Sequence, residues 1–266
     1  PGAEVARELT IVRRLGAIAY HMDETMCQLD VDPVRGTGLA SINAYLVPRG
    51  LAGELADALE AVFAAKLGIG SRVLYAPPGG DILGRAVPDD CIGIGTMCSL
   101  TLASVFMRHG VPTTPVFGGL LQIAGGTPEH FLEMIRYDAT TLSPNEVFIR
   151  ANLTSVAQAA AGGSGAITAS FREAPMSALP RLRAVVDACE RAGFPGVLLV
   201  GRPGQPVLNI PVHEGRVGIV LATGLNPLAC LWERSRRLDS RPMVGPAEYQ
   251  SLIPYAEFRQ QVRSTV

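Results

Sequence analysis

An internal repeat with a constant offset of 125 residues constrains this chain more than any other feature. Identical residues recur in register without a gap, and similar apolar residues fill many of the positions between them. The identical pairs include Ile42 with Ile167, Gly68 with Gly193, Gly93 with Gly218, Ile94 with Ile219 and Leu100 with Leu225. Because self-similarity at a fixed period is the signature of duplicated structural units, we predict two tandem copies of one unit.

Each copy alternates between helical and extended apolar patterns, which indicates a mixed α/β (α+β) fold. In the first copy, the spacing predicts a helix over 4–21, strands over 25–31 and 39–47 that form a hairpin, a helix over 51–67 and a strand over 72–76. Farther along, we expect a strand over 116–123, a helix over 127–136 that begins at a Thr-Pro pair, and a short helix from 143 onward.

The repeat divides the chain into two parts that together form one domain. The first repeat, with the N-terminal amphipathic helix, covers 1–125, and the second repeat with the C-terminal tail covers 126–266. Two arrangements are open. The repeats either pack about a pseudo-twofold axis with equivalent turns facing a shared cleft, or pack through their sheets and leave these turns at the surface.

The most informative stretch of each copy is a buried strand that turns sharply into a helix, at 91–110 and again at 216–235. Small and hydroxyl-bearing residues occupy both turns. They are Thr96, Cys98 and Ser99 in the first copy and Thr223 and Gly224 in the second. Free backbone N–H groups at such helix starts attract anions, although a purely structural turn would have the same pattern.

Thr101 and Asn226 occupy equivalent positions in the repeat, and both are residue types that cap helix N-termini. A dicarboxylate bound between two helix starts would also need a cation, and arginine grips a carboxylate through two parallel hydrogen bonds. Arg172, at the end of a predicted strand, is the first candidate. Its neighbour Glu173 leaves a second interpretation, a solvated surface ion pair.

Composition excludes several classes of site. A formal net charge of −1 and a pI near 6.5 give no basic footprint for nucleic acid. No apolar run is long enough to cross a bilayer and no signal peptide is recognisable, so we expect a cytoplasmic protein without membrane contact. The five cysteines are widely spaced, which favours reduced thiols, and no His/Cys cluster indicates a metal or another cofactor.

The sequence offers one candidate nucleophile, Cys98. It precedes a helix, a position that can make a thiol reactive. None of the four histidines stands in a motif with a carboxylate at catalytic spacing, so we favour a cysteine that packs or lines a ligand site. An enzyme acting on a small carboxylic acid, with Cys98 as nucleophile, is the alternative.

Five motifs follow one another along the chain: IGIGTMCSLTL, HGVPTTPVFGGLLQI, TLSPNEVFIRANLTSV, ASFREAP and VGIVLATGLNP. In this order they resemble the successive signatures of the regulatory domains of the NrpR family. The match covers most of the chain, from about the first hairpin to the second helix start, and is therefore far more specific than any single motif. The glycine pair Gly118 and Gly119 in the second motif also indicates a bulge or a close backbone approach.

The resemblance implies a role in transcription regulation. NrpR proteins are prokaryotic repressors of nitrogen-assimilation genes, in which an N-terminal winged helix binds DNA and NrpR domains sense 2-oxoglutarate. The chain would then be a non-enzymatic, effector-sensing and dimerisation domain that forms a homodimer. It would reach DNA only through a winged-helix module outside this chain, which fits a sequence that begins at Pro1.

A dimerisation platform without a ligand is a further alternative. If the domain does sense an effector, the residues expected to bind it come from the two turns, the two predicted caps, the glycine pair and the candidate cation. They are Thr96, Cys98, Ser99, Thr101, Gly118, Gly119, Arg172, Thr223, Gly224 and Asn226.

Overall fold

The structure, a computed structural model, describes residues 17–235 and 243–265. The helices of this part are α1 Ala17–Gln28, α2 Ala52–Ala64, α3 Ser99–Arg108, α4 Pro144–Arg150, α5 Val156–Gly162, α6 Leu179–Arg191, α7 Asn226–Ser235 and α8 Tyr255–Thr265. The strands are β1 Leu39–Pro48, β2 Arg72–Ala76, β3 Asp81–Ile82, β4 Arg85–Ala86, β5 Cys91–Met97, β6 Thr114–Ala124, β7 Thr127–Arg136, β8 Gly165–Pro175, β9 Val197–Val200, β10 Arg216–Ala222, β11 Met243–Glu248 and β12 Ile253–Pro254.

Two five-stranded sheets carry the fold, in the orders β11-β1-β5-β2-β12 and β7-β6-β8-β10-β9. Every pairing within them is antiparallel, and β3 and β4 form a small separate hairpin. The predicted mixed fold is therefore confirmed in its α+β form, because the helices cover antiparallel sheets rather than cross between parallel strands.

The secondary structure follows the sequence repeat. Both ends of β10 lie 125 residues after the corresponding ends of β5. Each of these strands is flanked by equivalent neighbours, β1 and β2 in one sheet and β8 and β9 in the other. Each is then followed by a helix, α3 or α7.

The two halves of the chain exchange one strand each. β6 follows α3 in the first half but pairs with β8 of the second sheet. β11 follows α7 in the second half but pairs with β1 of the first sheet. Because each sheet contains a strand from the other half, the halves form one interlocked body.

The apolar core comprises two large clusters on opposite faces of the strands. On β1, for example, Tyr45 and Val47 belong to one cluster and Ile42 and Ala44 to the other. Helices α2, α7 and α8 cover the first cluster, and α3 and α6 cover the second. Each cluster contains residues of both sheets, so the core joins the halves that the strand exchange interlocks.

Residues 25–31 do not form the predicted strand. Helix α1 continues to Gln28, because Met22, Met26 and Leu29 are buried at helical spacing against Leu100 of α3. The predicted hairpin is therefore wrong, and β1 pairs with β5 and β11 instead. Most of the helix predicted over 4–21 lies outside the described residues.

Residues 127–136 form a strand rather than the predicted helix. Gly125 and Gly126 both have positive φ, +56° and +79°, and close a two-residue hairpin between β6 and β7. Such turns direct the following residues back along the sheet, which overrides the helix-start signal of Thr127 and Pro128. The short helix predicted near Ser143 is confirmed as α4, although the Ser143 side chain does not cap it.

Candidate functional site

The two strand-to-helix turns of the repeat lie against each other. The hydroxyl of Thr96, at the end of β5, donates to the carbonyl oxygen of Gly224 at 2.5 Å. A side chain at position 224 would overlap the carbonyl oxygen of Met97, so only glycine allows this approach. Of the two arrangements that the sequence left open, the structure has the one in which equivalent turns face each other.

These turns form one wall of a cavity of about 290 Å³. The wall consists of Cys98, Ser99, Leu100, Thr223, Gly224 and Leu225. Helix α1 covers the cavity, and the other lining residues come from β1, β11 and the segment that leads into α4. These residues are Ile18, His21, Met22, Asn43, Tyr137, Ser143, Pro144, Asn145 and Val244.

The lining mixes hydrogen-bonding and apolar groups in a space that suits a small metabolite. Hydroxyl, amide and thiol groups converge from both halves of the chain, and no carboxylate belongs to the described lining. Four of the predicted site residues, Cys98, Ser99, Thr223 and Gly224, lie in this wall. Thr96 is buried behind it and holds Gly224 in place.

Thr101 and Asn226 are not helix caps. Thr101 is the third residue of α3, whose N-cap is Cys98, and Asn226 is the first residue of α7. Both side chains are fully buried, because each helix start packs against the neighbouring strand. The hydroxyl of Thr101 donates to the carbonyl oxygen of Ser41 at 3.1 Å and accepts its N–H at 3.0 Å.

Asn226 makes the matching contacts in the other half. Its amide donates to the carbonyl oxygen of Thr168 at 3.1 Å and accepts the N–H of the same residue at 3.0 Å. It also donates to the carbonyl oxygen of Leu67 at 2.7 Å. Thr101 and Asn226 thus clamp the two helix starts to β1 and β8, and their contact with an effector stays a prediction.

Arg172 is fully buried in β8, so the surface ion pair with Glu173 is wrong. Its Nε donates to Thr113 Oγ1 at 2.9 Å, and its Nη2 reaches Thr113 O at 3.3 Å and Met26 Sδ at 3.2 Å. Among the residues that the structure describes, its Nη1 has no hydrogen-bond partner. On the opposite face of β8, Glu173 lies 2.9 Å from Nδ1 of His213.

None of the ion pairs among the described residues involves Arg172. Burial lowers the pKa of Arg172 to about 10, so the side chain remains a cation at neutral pH. Arg172 is not one of the cavity-lining residues, but Tyr137 and Cys98 of the lining and Asp23 on α1 are near enough to raise its pKa. An incompletely bonded cation therefore lies behind the lining of a cavity that has no carboxylate among its described lining residues.

At the glycine pair of β6, side chains of neighbouring segments approach the strand backbone closely, as the sequence predicts. A Cβ at Gly118 would lie 2.7 Å from the Cβ of Pro144 and 3.1 Å from the hydroxyl of Tyr137. A Cβ at Gly119 would lie 2.5 Å from the ring of Phe131. Gly118 therefore lies directly behind the cavity lining, whereas Gly119 faces the core, and the irregularities of β6 occur on either side of the pair.

Sequence reasoning missed several lining residues. Ser143 and Asn145 were interpreted only as a helix start, although they belong to the motif TLSPNEVFIRANLTSV. Asn43 pairs with Thr96 between β1 and β5. That register is a tertiary fact, and in the sequence Asn43 carries no signal beyond a polar residue in an apolar strand.

Cys98 lies in the wall as a ligand-lining cysteine would, and burial raises the pKa of its thiol. A protonated thiol is a poor nucleophile, so we expect iodoacetamide at pH 7 to alkylate Cys98 at least roughly tenfold more slowly than the exposed Cys27. Peptide mapping by mass spectrometry over a time course measures both rates, with Cys27→Ser as the control for peak assignment. Faster alkylation of Cys98 than of Cys27 would favour the enzyme alternative.

The described residues contain no group of three or more His, Cys, Asp or Glu side chains that could hold a metal ion. Within the same part of the chain, no helix has the length and apolar character needed to span a bilayer.

A family model described as NrpR regulatory domains NRD1 and 2 matches residues 15–253, which include the whole cavity lining. The chain belongs to this family. The resemblance noted from five sequence motifs is thereby confirmed, and the chain is a regulatory domain of the nitrogen-repressor type.

Relatives and a solved structure agree with this assignment. The global nitrogen regulator NrpRI of Methanosarcina mazei is 30% identical over 172 residues, which are 65% of this chain and 53% of that protein. The global nitrogen regulator NrpR of Methanocaldococcus jannaschii is 27% identical over 244 residues, 92% of this chain and 41% of that protein. This chain therefore spans about half, or less, of the length of these relatives.

The fold is also that of a known structure. The crystal structure of a nitrogen repressor-like protein from Methanococcus jannaschii is similar with a TM-score of 0.74 and 25% sequence identity. The similarity covers 90% of this chain and 98% of that chain. The arrangement of the two halves is thus a property of the family fold.

Proposed function

We propose that this domain senses a small dicarboxylate, 2-oxoglutarate, in the cavity between the two turns. The observation that carries the proposal is Arg172, a fully buried cation behind the lining of that cavity, whose Nη1 has no hydrogen-bond partner among the described residues. Burying a charged group without a counter-ion costs several kcal/mol, and a bound carboxylate would offset this cost. The names of the relatives, global nitrogen regulators, agree with a ligand that reports nitrogen status.

The rest of the cavity complements a second carboxylate. The first turn of α3 begins at Ser99, so free N–H groups and the positive end of the helix dipole point toward the lining there. Thr223 adds a hydrogen-bonding group from the opposite half of the fold, and Asn43 adds one from the same half as α3. A ligand with an anionic group at each end would therefore bridge Arg172 and a helix start.

Helix α1 provides a route from the ligand to the rest of a repressor. It covers the cavity through Ile18, His21 and Met22, and its Met26 thioether contacts Arg172. A carboxylate that takes the place of this thioether would shift α1, the described helix nearest the N-terminus. We propose a cytoplasmic homodimer in which this shift modulates DNA binding by a winged-helix module outside this chain, to the extent that the ligand binds the two arrangements with different affinity.

Saturating 2-oxoglutarate should raise the melting temperature of the domain by roughly 5–10 °C, because a ligand at about a hundred times its Kd stabilises the folded state by about 2.7 kcal/mol. Scanning calorimetry measures the shift and titration calorimetry the affinity. Glutarate, which lacks the keto group, is the matched control and should bind more weakly.

The result separates this proposal from its alternatives. If 2-oxoglutarate gave neither a shift nor heat, its sensing by this domain would be wrong. A stable dimer unaffected by a panel of metabolic acids would indicate a ligand-free dimerisation platform. Consumption of the acid during the titration, monitored by proton NMR, would favour an enzyme that uses Cys98.

A further inference from the structure

A second concave feature, separate from the effector cavity, lies between helices α3 and α6. This α3/α6 groove has a volume of about 390 Å³ and shares no lining residue with the cavity. Its floor is apolar and comes from Val105 of α3 and from Ala184, Val185 and Ala188 of α6. Within the described part of the chain, nothing fills it. Val34, at one end of the groove, is 74% exposed.

The second half of the repeat has an equivalent groove, between α2 and α7, and a short helix occupies it. The equivalents of α3 and α6 in the other half are α7 and α2, and the short helix α5 packs against both of them. By the 125-residue offset, α5 corresponds to residues 31–37. In the first half, this segment forms a tight turn closed by a bridge between Asp32 and Thr37 instead of a helix.

The two segments begin alike and then diverge. Val31 and its equivalent Val156 are both buried. Three residues later, Ala159 is 3% exposed and packed in its groove, whereas the equivalent Val34 points into solvent. The first half therefore keeps the walls of a helix-binding groove but not the helix that fills it.

The charged residues at the edge of the filled groove, between α2 and α7, differ from those at the edge of the open α3/α6 groove. We call these edges the rims of the two grooves. The carboxylate of Glu233 on α7 accepts the N–H groups of Val156 and Ala157 at 2.8 and 2.9 Å, which fixes the N-terminus of α5. The equivalent of Glu233 on α3 is Arg108, an exposed residue next to the lining residue His109, and Arg181 is itself a lining residue of the open groove.

The open groove also has one carboxylate among its lining residues, Asp32, and this side chain is bonded within its own turn. Asp32 Oδ1 accepts the N–H groups of Val34 and Arg35 at 2.9 and 3.0 Å, and its carboxylate also pairs with the Arg35 side chain. His109 adds a further donor-bearing side chain to the lining. At the position where the filled groove has the carboxylate of Glu233, the open groove thus has the cation Arg108, with Arg181 nearby in the lining.

We propose that the α3/α6 groove docks a short helix of a partner protein. The internal precedent of α5 specifies small apolar residues on the docking face of that helix. Next to Arg108 and Arg181, we expect the partner helix to have acidic side chains or its C-terminus, which is the negative end of the helix dipole. The proposal goes beyond effector sensing and does not depend on it.

Two hydrocarbon-stapled, fluorescein-labelled peptides test this proposal by fluorescence anisotropy with the whole chain. Both carry an alanine docking face, and they differ only in having glutamates or lysines at the two positions next to the rim. We expect the glutamate peptide to bind at least tenfold more tightly. The double variant Arg108→Glu/Arg181→Glu should reverse this preference, whereas Arg202→Glu, at an exposed arginine outside the groove, should not.

A steric variant adds an independent test. Ala184 is exposed in the groove, so Ala184→Trp fills it and should weaken binding of the glutamate peptide at least tenfold, with its melting temperature as the check on folding. Equal binding of the two peptides, or binding unaffected by Ala184→Trp, would overturn the proposal. So would light scattering that showed Ala184→Trp converting a dimer into a monomer, because the occupant would then be a second copy of this chain.

Discussion

Replacing Arg172 by methionine should abolish the rise in melting temperature caused by 2-oxoglutarate and leave the ligand-free domain at least as stable as the wild type. Methionine is unbranched and adaptable, so it fills most of the space of the buried side chain. It also removes a guanidinium that is paired with no described carboxylate, and replacing buried ionic groups by apolar ones is often neutral or stabilising by about 1–4 kcal/mol. A loss of ligand response without a loss of stability would distinguish a binding role from a structural one.

Two variants complete this experiment. Arg172→Lys keeps the charge but not the planar fork, and should retain a smaller shift than the wild type. Arg191→Met, at an exposed arginine at the end of α6, should leave the shift unchanged. Calorimetric titration of all three variants gives the affinities. Wild-type affinity in a folded Arg172→Met protein would show that the carboxylate is held elsewhere.

The change Asn226→Ala should reduce the free energy of unfolding by about 3–5 kcal/mol, because each buried polar group left without a partner costs about 1–3 kcal/mol. The substitution removes the partner of the Leu67 carbonyl and of both backbone groups of Thr168. It also releases the start of α7 from β8. Urea denaturation followed by circular dichroism measures the change.

The control for this prediction is Gln250→Ala, which truncates an exposed side chain and should alter stability by no more than about 0.5 kcal/mol. Asn226→Asp keeps the acceptor but loses both amide donors, so it should be destabilised as well. A loss below 1 kcal/mol for Asn226→Ala would mean that the clamp does not hold the turn. The effector response would then have to be explained without it.

The sequence was most informative where local pattern and repeat agreed. The apolar runs of β5 and β10 and the helices that follow them were predicted because short buried strands and periodic helices leave strong local signals. The sequence predicts helix caps at Thr101 and Asn226, whereas in the structure these side chains clamp the helix starts to strands. Their partners, Ser41 on β1 and Thr168 on β8, lie 60 and 58 residues away in the sequence, and only the packing of a helix start against a strand within each half brings them together.

Other features could not be inferred because tertiary contacts decide them. Arg172 was selected for its chemistry, but its burial depends on a strand that is covered on both faces. The strand β7 was mistaken for a helix because Thr127 and Pro128 outweighed Gly125 and Gly126, whose paired positive φ angles fix a hairpin. The cover of the cavity by α1 depends on how that helix packs against α3.

The exchange of β6 and β11 determines the order in which the chain can complete its fold during synthesis. Leu39 of β1 pairs with Glu248 of β11, so one neighbour of β1 emerges from the ribosome only after both sheets' other long strands and helix α7 have been made. Until then, the hydrogen-bonding edge of β1 is open, and open edges are templates for wrong pairing. Pairings this distant in sequence are also slow to form. The strand exchange that unites the two halves therefore leaves the nascent chain with an unpaired strand edge for a long time. During this time the edge must be kept from pairing with strands of other chains.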